Sequence, residues 1–142
     1  MSTSTNKINL QIITPEKIAY KDEADQITLP TEDGEITILA NHIPLISTMK
    51  HGELIIKNDW KEIPMAVCNG FVEVRGNCII VMTDIAERVE EIDEQKAKEA
   101  KKRAQDLLKE KDRMSDIAFA DATALLEKSL ARIRVARRRK RR

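Results

Sequence analysis

Ile8, Leu10 and Ile12 alternate with Asn9 and Gln11, the period-two pattern of a strand with one face buried. Short apolar segments of the same kind follow along the first half of the chain. They are Gln26-Ile27-Thr28-Leu29, stopped by Pro30, then Glu35-Ile36-Thr37-Ile38-Leu39, Leu54-Ile55-Ile56, Met65-Ala66-Val67-Cys68, Phe71-Val72-Glu73-Val74 and Cys78-Ile79-Ile80-Val81. Thr31-Glu32-Asp33-Gly34 and Arg75-Gly76-Asn77 read as turns between them. Strands this short, with turn signals every ~8–12 residues, predict a β-sandwich or barrel.

The grammar changes near Asp84–Arg88. All glycines and prolines lie before residue 77, so the second half lacks the residues that turn a chain or break a helix. Asp84 and Glu87 have the spacing of a capping box. Beyond them Ala97, Ala100, Ala104 and Leu107 or Leu108 form one narrow helical stripe. Polar residues from Lys109 to Ser115 interrupt it. Ser115 or Asp116 can cap a second helix, striped by Ala118, Ala122, Leu125, Ser129 and Ile133. The predicted organisation is α+β in sequence order: a β-sandwich over 7–86, then an antiparallel two-helix hairpin over 87–136 with helices at about 88–110 and 116–136. A disordered start (1–6) and a frayed basic tail (137–142) flank them. A buried alanine methyl contributes about 0.8 kcal/mol against ~1.5–3 for a leucine-sized side chain, so an alanine seam closes weakly. Both a switching hairpin and a permanently docked one fit that seam.

Composition narrows the function classes. The 142 residues suit one domain or two small modules, and the formal net charge of +1 excludes a generally basic nucleic-acid coat. Aromatics are only 3% of the chain, too few for a base-stacking platform. No apolar run approaches the ~20 residues that span a bilayer. Met1–Lys7 is polar, which predicts a cytosolic chain. Cys68 and Cys78 are then expected as reduced, buried thiols.

Charge is concentrated at one end. Arg132, Arg134, Arg137, Arg138, Arg139, Lys140, Arg141 and Arg142 crowd the stretch from Ala131 onward, which holds no acid. Cations suit a helix C-terminus, but this run exceeds that need. Nucleic acid, anionic lipid or an acidic protein segment each fits as a partner, and composition does not choose among them. The chemistry of catalysis is missing. There is no glycine-rich phosphate loop, no His-x-x-x-His and no Cys-x-x-Cys, and no serine or histidine sits in a nucleophile setting. A metal site is not expected, nor is catalysis by this chain.

In order along the chain, these residues resemble the epsilon subunits of bacterial F-type ATP synthases, over about residues 7–136. The most specific stretch, Gly34-Glu35-Ile36-Thr37-Ile38-Leu39-Ala40-Asn41-His42-Ile43-Pro44-Leu45-Ile46, is similar to the family's Gly-Glu-x-x-Ile-Leu-x-x-His-x-Pro-Leu segment. Gly70-Phe71-Val72-Glu73-Val74, Asp84-Ile85-Ala86-Glu87, Ile92-Asp93-Glu94-Gln95-Lys96-Ala97 and Leu130-Ala131-Arg132-Ile133-Arg134-Val135 add to the likeness. The resemblance implies a ten-stranded sandwich with a helical hairpin, in a non-catalytic rotor subunit of the central stalk. It implies contacts to the gamma subunit and c-ring loops through Glu32, Glu35 and His42, at the cytoplasmic face of the plasma membrane. It also implies a hairpin that permits ATP hydrolysis when folded and blocks it when extended among the catalytic beta and alpha subunits. Arg132, Arg134, Arg137, Arg138 and Arg139 are then the expected contacts to acidic beta segments. No direct membrane or nucleic-acid contact is implied; a nucleic-acid or ribosome-associated binder is the alternative that the arginine run alone suggests.

Some members of that family bind ATP on the folded hairpin through an Ile/Leu-Asp-x-x-Arg-Ala motif. Here Ile92, Asp93 and Ala97 match, but Lys96 stands in place of arginine. Glu87, Arg103, Lys128 and Arg132 occupy the other ligand positions that the resemblance implies. Lysine lacks the planar fork that grips phosphate in two places, so ATP is expected as a weak regulatory ligand or none, with no other cofactor.

Overall fold

Alternating apolar residues need two faces to be buried against, and the computed structural model, which describes residues 6–141, supplies them as two strand layers. Ten strands run β1 (Ile8–Ile13), β2 (Ile18–Ala24), β3 (Gln26–Thr31), β4 (Gly34–Leu39), β5 (Leu45–Met49), β6 (Gly52–Asn58), β7 (Lys61–Cys68), β8 (Gly70–Arg75), β9 (Cys78–Met82) and β10 (Ile85–Arg88). The pairing order is β10-β7-β6-β3-β5-β8-β9-β1-β2, with β4 on the other edge of β3. β3 meets β5 only through Thr31 and Met49, so the sheet folds over at that joint into two layers. β1 and β9 run parallel; the other neighbours are antiparallel. Ile8, Leu10, Ile12, Ile27, Leu29, Ile38, Leu54, Ile56, Met65, Val67, Val72, Ile79 and Val81 fill the space between the layers.

Two helices follow, α1 (Glu94–Leu108) and α2 (Asp116–Lys140). The expected β-sandwich and antiparallel hairpin are both present. Several details differ from the sequence reading. Asp84 and Glu87 do not cap a helix: the chain continues as β10, then one 3-10 turn (Val89–Glu91), and α1 begins six residues later than about 88. The cap is Asp93, whose Oδ1 accepts from the Lys96 N–H at 3.1 Å. Ser115 caps α2, accepting from the Ala118 N–H at 3.1 Å, as expected. The basic end through Lys140 is helical instead of frayed; two of its side chains, Arg138 and Lys140, find carboxylates, as described below. The expected disordered start lies, except for Asn6, outside the described residues, as does Arg142.

The helices stack in series on the sandwich. α1 buries only Ala97, Ala100 and Ala104, and it packs on α2. α2 buries two faces at once. Ala122, Ser129 and Ile133 belong to the anticipated stripe, while Ala131 and Val135 press on Ala66 and Val89 of the sandwich. That second face explains the unbroken apolar run Met65-Ala66-Val67-Cys68: Met65 and Val67 point between the layers, and Ala66 points out beneath α2.

Both cysteines were expected to be buried, and only one is. Cys68 is fully buried, and burial pushes its thiol up to about 11. Cys78 is exposed, since it opens β9 opposite Arg75 with Ile79 taking the inward position. Native protein is therefore expected to bind one maleimide per chain, at Cys78, with Cys68 reacting only in denaturant. Two fast thiols in native buffer would contradict this placement.

Candidate functional site

The basic end meets acids of its own chain. The Arg132 guanidinium lies against the Glu87 carboxylate in a two-pronged contact, Nε to Oε2 at 2.7 Å and Nη2 to Oε1 at 2.6 Å. This geometry uses the planar fork of arginine, and it raises the Arg132 pKa further. One and a half turns on, Arg138 divides its fork between Glu53 of β6 at 2.8 Å and Glu62 of β7 at 3.0 Å. Asn69 Nδ2 donates to Glu127 Oε2 at 3.3 Å at the other end of the contact. Around a small apolar patch of Ala66, Val89, Ala131 and Val135, these polar contacts form a latch between α2 and the sandwich. Its energetics are tilted toward charge, because alanine and valine bury little area.

The ends of the hairpin are joined in the same manner. Lys140 Nζ reaches Glu94 Oε2 at 2.9 Å, linking the end of α2 to the start of α1. Lys17 Nζ reaches Glu91 Oε1 at 3.3 Å, and the Arg88 N–H donates to Glu91 Oε2 at 2.8 Å. The Arg88 N–H bond, first, holds Glu91 below the usual carboxylate range, and the Lys140 contact does so for Glu94. A carboxylate depressed in the folded state stabilises that state above its unfolded value and loses the effect as pH falls through the depressed one. This joint is accordingly expected to hold from about pH 8 down to about pH 5 and to loosen only in acid. Hydrogen exchange at the start of α1 measures this; loosening between about pH 8 and 6 would contradict it.

Of the residues expected to hold nucleotide, the structure brings Glu87 and Arg132 together, but onto each other. The Asp93 carboxylate is engaged as the helix cap, Ile92 packs under the latch and Ala97 is buried in the helix seam. Lys96 and Arg103 are exposed on α1, and Lys128 is half-buried on α2. Arg134, Arg137 and Arg139 are exposed. Among the described residues no cluster of His, Cys, Asp and Glu can hold a metal ion.

The expected partner contacts lie elsewhere. Glu32 and Glu35 flank the β3–β4 turn and are exposed. His42 is half-buried on the crossing from β4 to β5, its Nδ1 donating to the Ile43 carbonyl at 2.7 Å. Asn41, at φ 64°, turns this crossing and donates its N–H to Asn77 Oδ1 at 2.7 Å. Ile43 in this crossing and Ile46 in β5 are each 74% exposed, and Leu39 is open at the end of β4. Ile46, Phe71 and Met82 stand on the outer face of the β5–β8–β9 layer, Phe71 directly across from Met82. The sequence reading singled out Glu32, Glu35 and His42 and did not single out these apolar residues; the departure from strand alternation at Ile43 and Ile46 was the available signal.

Comparison with known proteins agrees with this architecture. The family model described as "ATP synthase, Delta/Epsilon chain, beta-sandwich domain" matches residues 7–89, and "ATP synthase, Delta/Epsilon chain, long alpha-helix domain" matches 90–137. The ATP synthase epsilon chain of Desulforamulus reducens is 40% identical over 127 residues, 89% of this chain and 95% of that one. That of Symbiobacterium thermophilum is 41% identical over 130 residues, covering 91% and 92%. A chain in the cryo-EM structure of the Euglena gracilis mitochondrial ATP synthase, OSCP/F1/c-ring, superposes with TM-score 0.75 at 21% identity. That match covers 89% of this chain and 79% of the other, and shows a shared fold. A second cryo-EM structure, the central stalk/c-ring of the Tetrahymena thermophila enzyme, gives TM-score 0.52 at 19% identity over 60% of this chain and 69% of that one. With the sandwich and the hairpin both matched, over residues 7–137 together, the chain belongs to the ATP synthase epsilon-chain family.

Proposed function

We propose that this chain is a non-catalytic rotor subunit of the central stalk, coupling a gamma subunit to the loops of a c-ring at the cytoplasmic face of the membrane. The observation that carries this reading is the apolar surface formed by Ile43 and Ile46 with Phe71 and Met82. Side chains so exposed on paired strands, and on a loop that Asn41 ties to Asn77, are suited to a permanent partner. The two structural neighbours come from an F1/c-ring assembly and from a central stalk with c-ring, which supports the same placement. Glu32 and Glu35 at the β3–β4 turn and His42 beside Ile43 are the polar contacts in this reading.

The test is assembly. Ile43→Glu with Ile46→Glu places two charges where the apolar contact must form, and both positions are exposed, so the sandwich keeps its fold. Retention by immobilised gamma subunit is expected to fall by about tenfold or more, the equivalent of ~1.4 kcal/mol. Undiminished retention, with an unchanged circular dichroism spectrum, would remove this face from the interface.

The hairpin is the regulatory element in this reading, docked when ATP hydrolysis is permitted and extended toward the catalytic beta and alpha subunits when it is blocked. The latch supports it, since ion pairs with a thin apolar contact release at lower cost than a packed core. Nucleotide contributes weakly or not at all at Glu87, Ile92, Asp93, Lys96, Ala97, Arg103, Lys128 and Arg132, where Arg132 is held by Glu87 and lysine replaces the phosphate fork.

A further inference from the structure

The latch leaves several cations without partners, and they gather on one side of the molecule. Arg134, Arg137 and Arg141 stand three and four residues apart, in one row along α2 and its cap. They open onto the same broad cleft as Lys50 of the β5–β6 turn and Lys101 of α1. Among the described residues none of these five has an ion pair. The one carboxylate lining the cleft, Glu53, is bound to Arg138. Like charges crowded in this way repel each other, and a surface of opposite charge relieves them.

The β5–β6 turn places this basic surface in the fold. The Lys50 N–H donates to the Pro30 carbonyl at 3.3 Å, and the Glu32 N–H donates to the Thr48 carbonyl at 3.4 Å. The cations therefore adjoin the base of the β3–β4 turn, where Glu32, Asp33 and Glu35 are exposed. One end of the sandwich thus shows both signs side by side, acid on the turn and base next to it. An anionic membrane repels the first and attracts the second.

We infer that Lys50, Lys101, Arg134, Arg137 and Arg141 form a contact surface for the anionic lipid headgroups of the bilayer around the c-ring. A direct lipid contact goes beyond what the family resemblance implies. Its place in the enzyme rests on the reading above that the β3–β4 turn meets the ring loops, whereas the affinity for lipid does not. With the acidic turn over the ring, the cations next to it stand over the lipid outside the ring. A bilayer fits better than an acidic protein segment, because the charge is spread over three elements instead of lining a groove for one peptide. Attraction between diffuse charges acts across about 8–10 Å and asks for no register. A rotor can therefore keep such a contact while it turns past successive lipids.

Flotation of the full chain with vesicles tests the surface, at about 50 mM and about 200 mM salt. One set is phosphatidylcholine alone and the other is phosphatidylcholine and phosphatidylglycerol in equal parts. Binding to the anionic set only is expected, weaker at the higher salt. A cation near an anionic surface contributes about fivefold in affinity, so Arg134→Gln with Arg137→Gln is expected to weaken binding about 25-fold. Lys111→Gln with Arg113→Gln, at the exposed link between the helices, removes the same charge and is expected to leave binding intact. The surface is overturned if the anionic vesicles do not bind, if neutral vesicles bind equally, or if both double variants lose affinity equally. Capture by polyglutamate through Arg134 and Arg137, without capture by vesicles, also overturns it and assigns these cations to an acidic protein segment. Retention by immobilised gamma subunit separates this proposal from the rotor reading. If retention holds and vesicle binding fails, the lipid contact alone falls; if vesicle binding holds and retention fails, the rotor placement falls and the lipid-binding surface stands.

Discussion

Gly70→Ala is expected to destabilise the sandwich by about 3–5 kcal/mol, a large share of the ~5–15 that holds a domain of this kind together. Gly70 opens β8 at φ 113°, directly after Asn69 at φ 54°, where the chain passes from one layer to the other. A Cβ added there meets the Met82 carbonyl oxygen at 1.9 Å, its carbon at 2.8 Å and Thr83 Cα at 2.9 Å. All of these are backbone atoms, so no side chain can rotate away. Relief requires β8 and β9 to part at the point where Phe71 pairs with Met82. The adjacent Thr83 hydroxyl, which accepts from the Cys68 N–H and can donate to its carbonyl, shifts with them. Gly76→Ala is the control. Its φ of 59° lies in the left-handed region but its Cβ meets nothing within 4 Å. Backbone preference alone then costs about 1–2 kcal/mol. Thermal melts of the two variants decide the matter: equal midpoints would show that the corner yields more easily than the contact distances imply.

The second large effect concerns the latch. Glu87→Gln combined with Glu53→Gln removes both carboxylates that receive a fork from α2, Glu87 from Arg132 and Glu53 from Arg138, while Glu62 keeps one prong of Arg138. Hydrogen bonds to charged partners contribute about 1.5–3 kcal/mol when shielded and less when water reaches them, so about 2–4 kcal/mol for the two together. That shifts the docked-to-released ratio by roughly 30- to 1000-fold. The sandwich core, which these residues do not enter, keeps its melting temperature. A spin label on exposed Cys78 paired with one at Asp121→Cys reports the separation directly, since buried Cys68 stays unlabelled. The variant is expected to show a long-distance population absent from the parent. Salt near 1 M, where screening acts over about 3 Å, is expected to move the parent part of the way. An unchanged distance distribution in both experiments would mean that the apolar patch alone holds α2.

This latch alters the meaning of the basic end. The sequence reading gave Arg132, Arg134 and Arg137–Arg139 to acidic segments of catalytic subunits in the extended state. The docked state already engages Arg132 and Arg138, with Glu87, Glu53 and Glu62 of the same chain. Under the proposed function, their loss favours release, so Arg138→Gln is expected to lower ATP hydrolysis by the assembled enzyme. The exposed Arg134, Arg137 and Arg139 remain available to other surfaces.

Where side chains alternate cleanly, the fold was legible: β1, β4 and β8 stand where Ile8–Ile12, Glu35–Leu39 and Phe71–Val74 placed them. Strands that miss one half of the pattern were not. β2 is an edge strand whose Lys21, Asp22 and Glu23 face water, and β10 is a four-residue strand whose Ala86 alone points inward. Prolines misled in two places, because Pro30 and Pro64 lie inside β3 and β7 opposite Glu35 and Ile55. The tight turn at Asp59 and Trp60, both left-handed, carries no glycine to announce it. For the site, the helical stripes and the Ser115 cap are local and were readable, whereas the cap of the first helix was placed at Asp84 and lies at Asp93. Arg138 with Glu53 is 85 residues apart in sequence, and no spacing rule reaches across that distance. The second buried face of α2 was equally hidden, since Ala131 and Val135 fall among arginines.

The stacking in series has an order built into it. α1 packs on α2, through three alanines and the Glu94–Lys140 ion pair, while α2 carries the main contacts to the sandwich. The outer rod can therefore peel away and leave the inner one seated, whereas the inner one cannot depart without carrying its passenger. Disassembly has a first step and a last step, and an intermediate with a single seated rod lies between them.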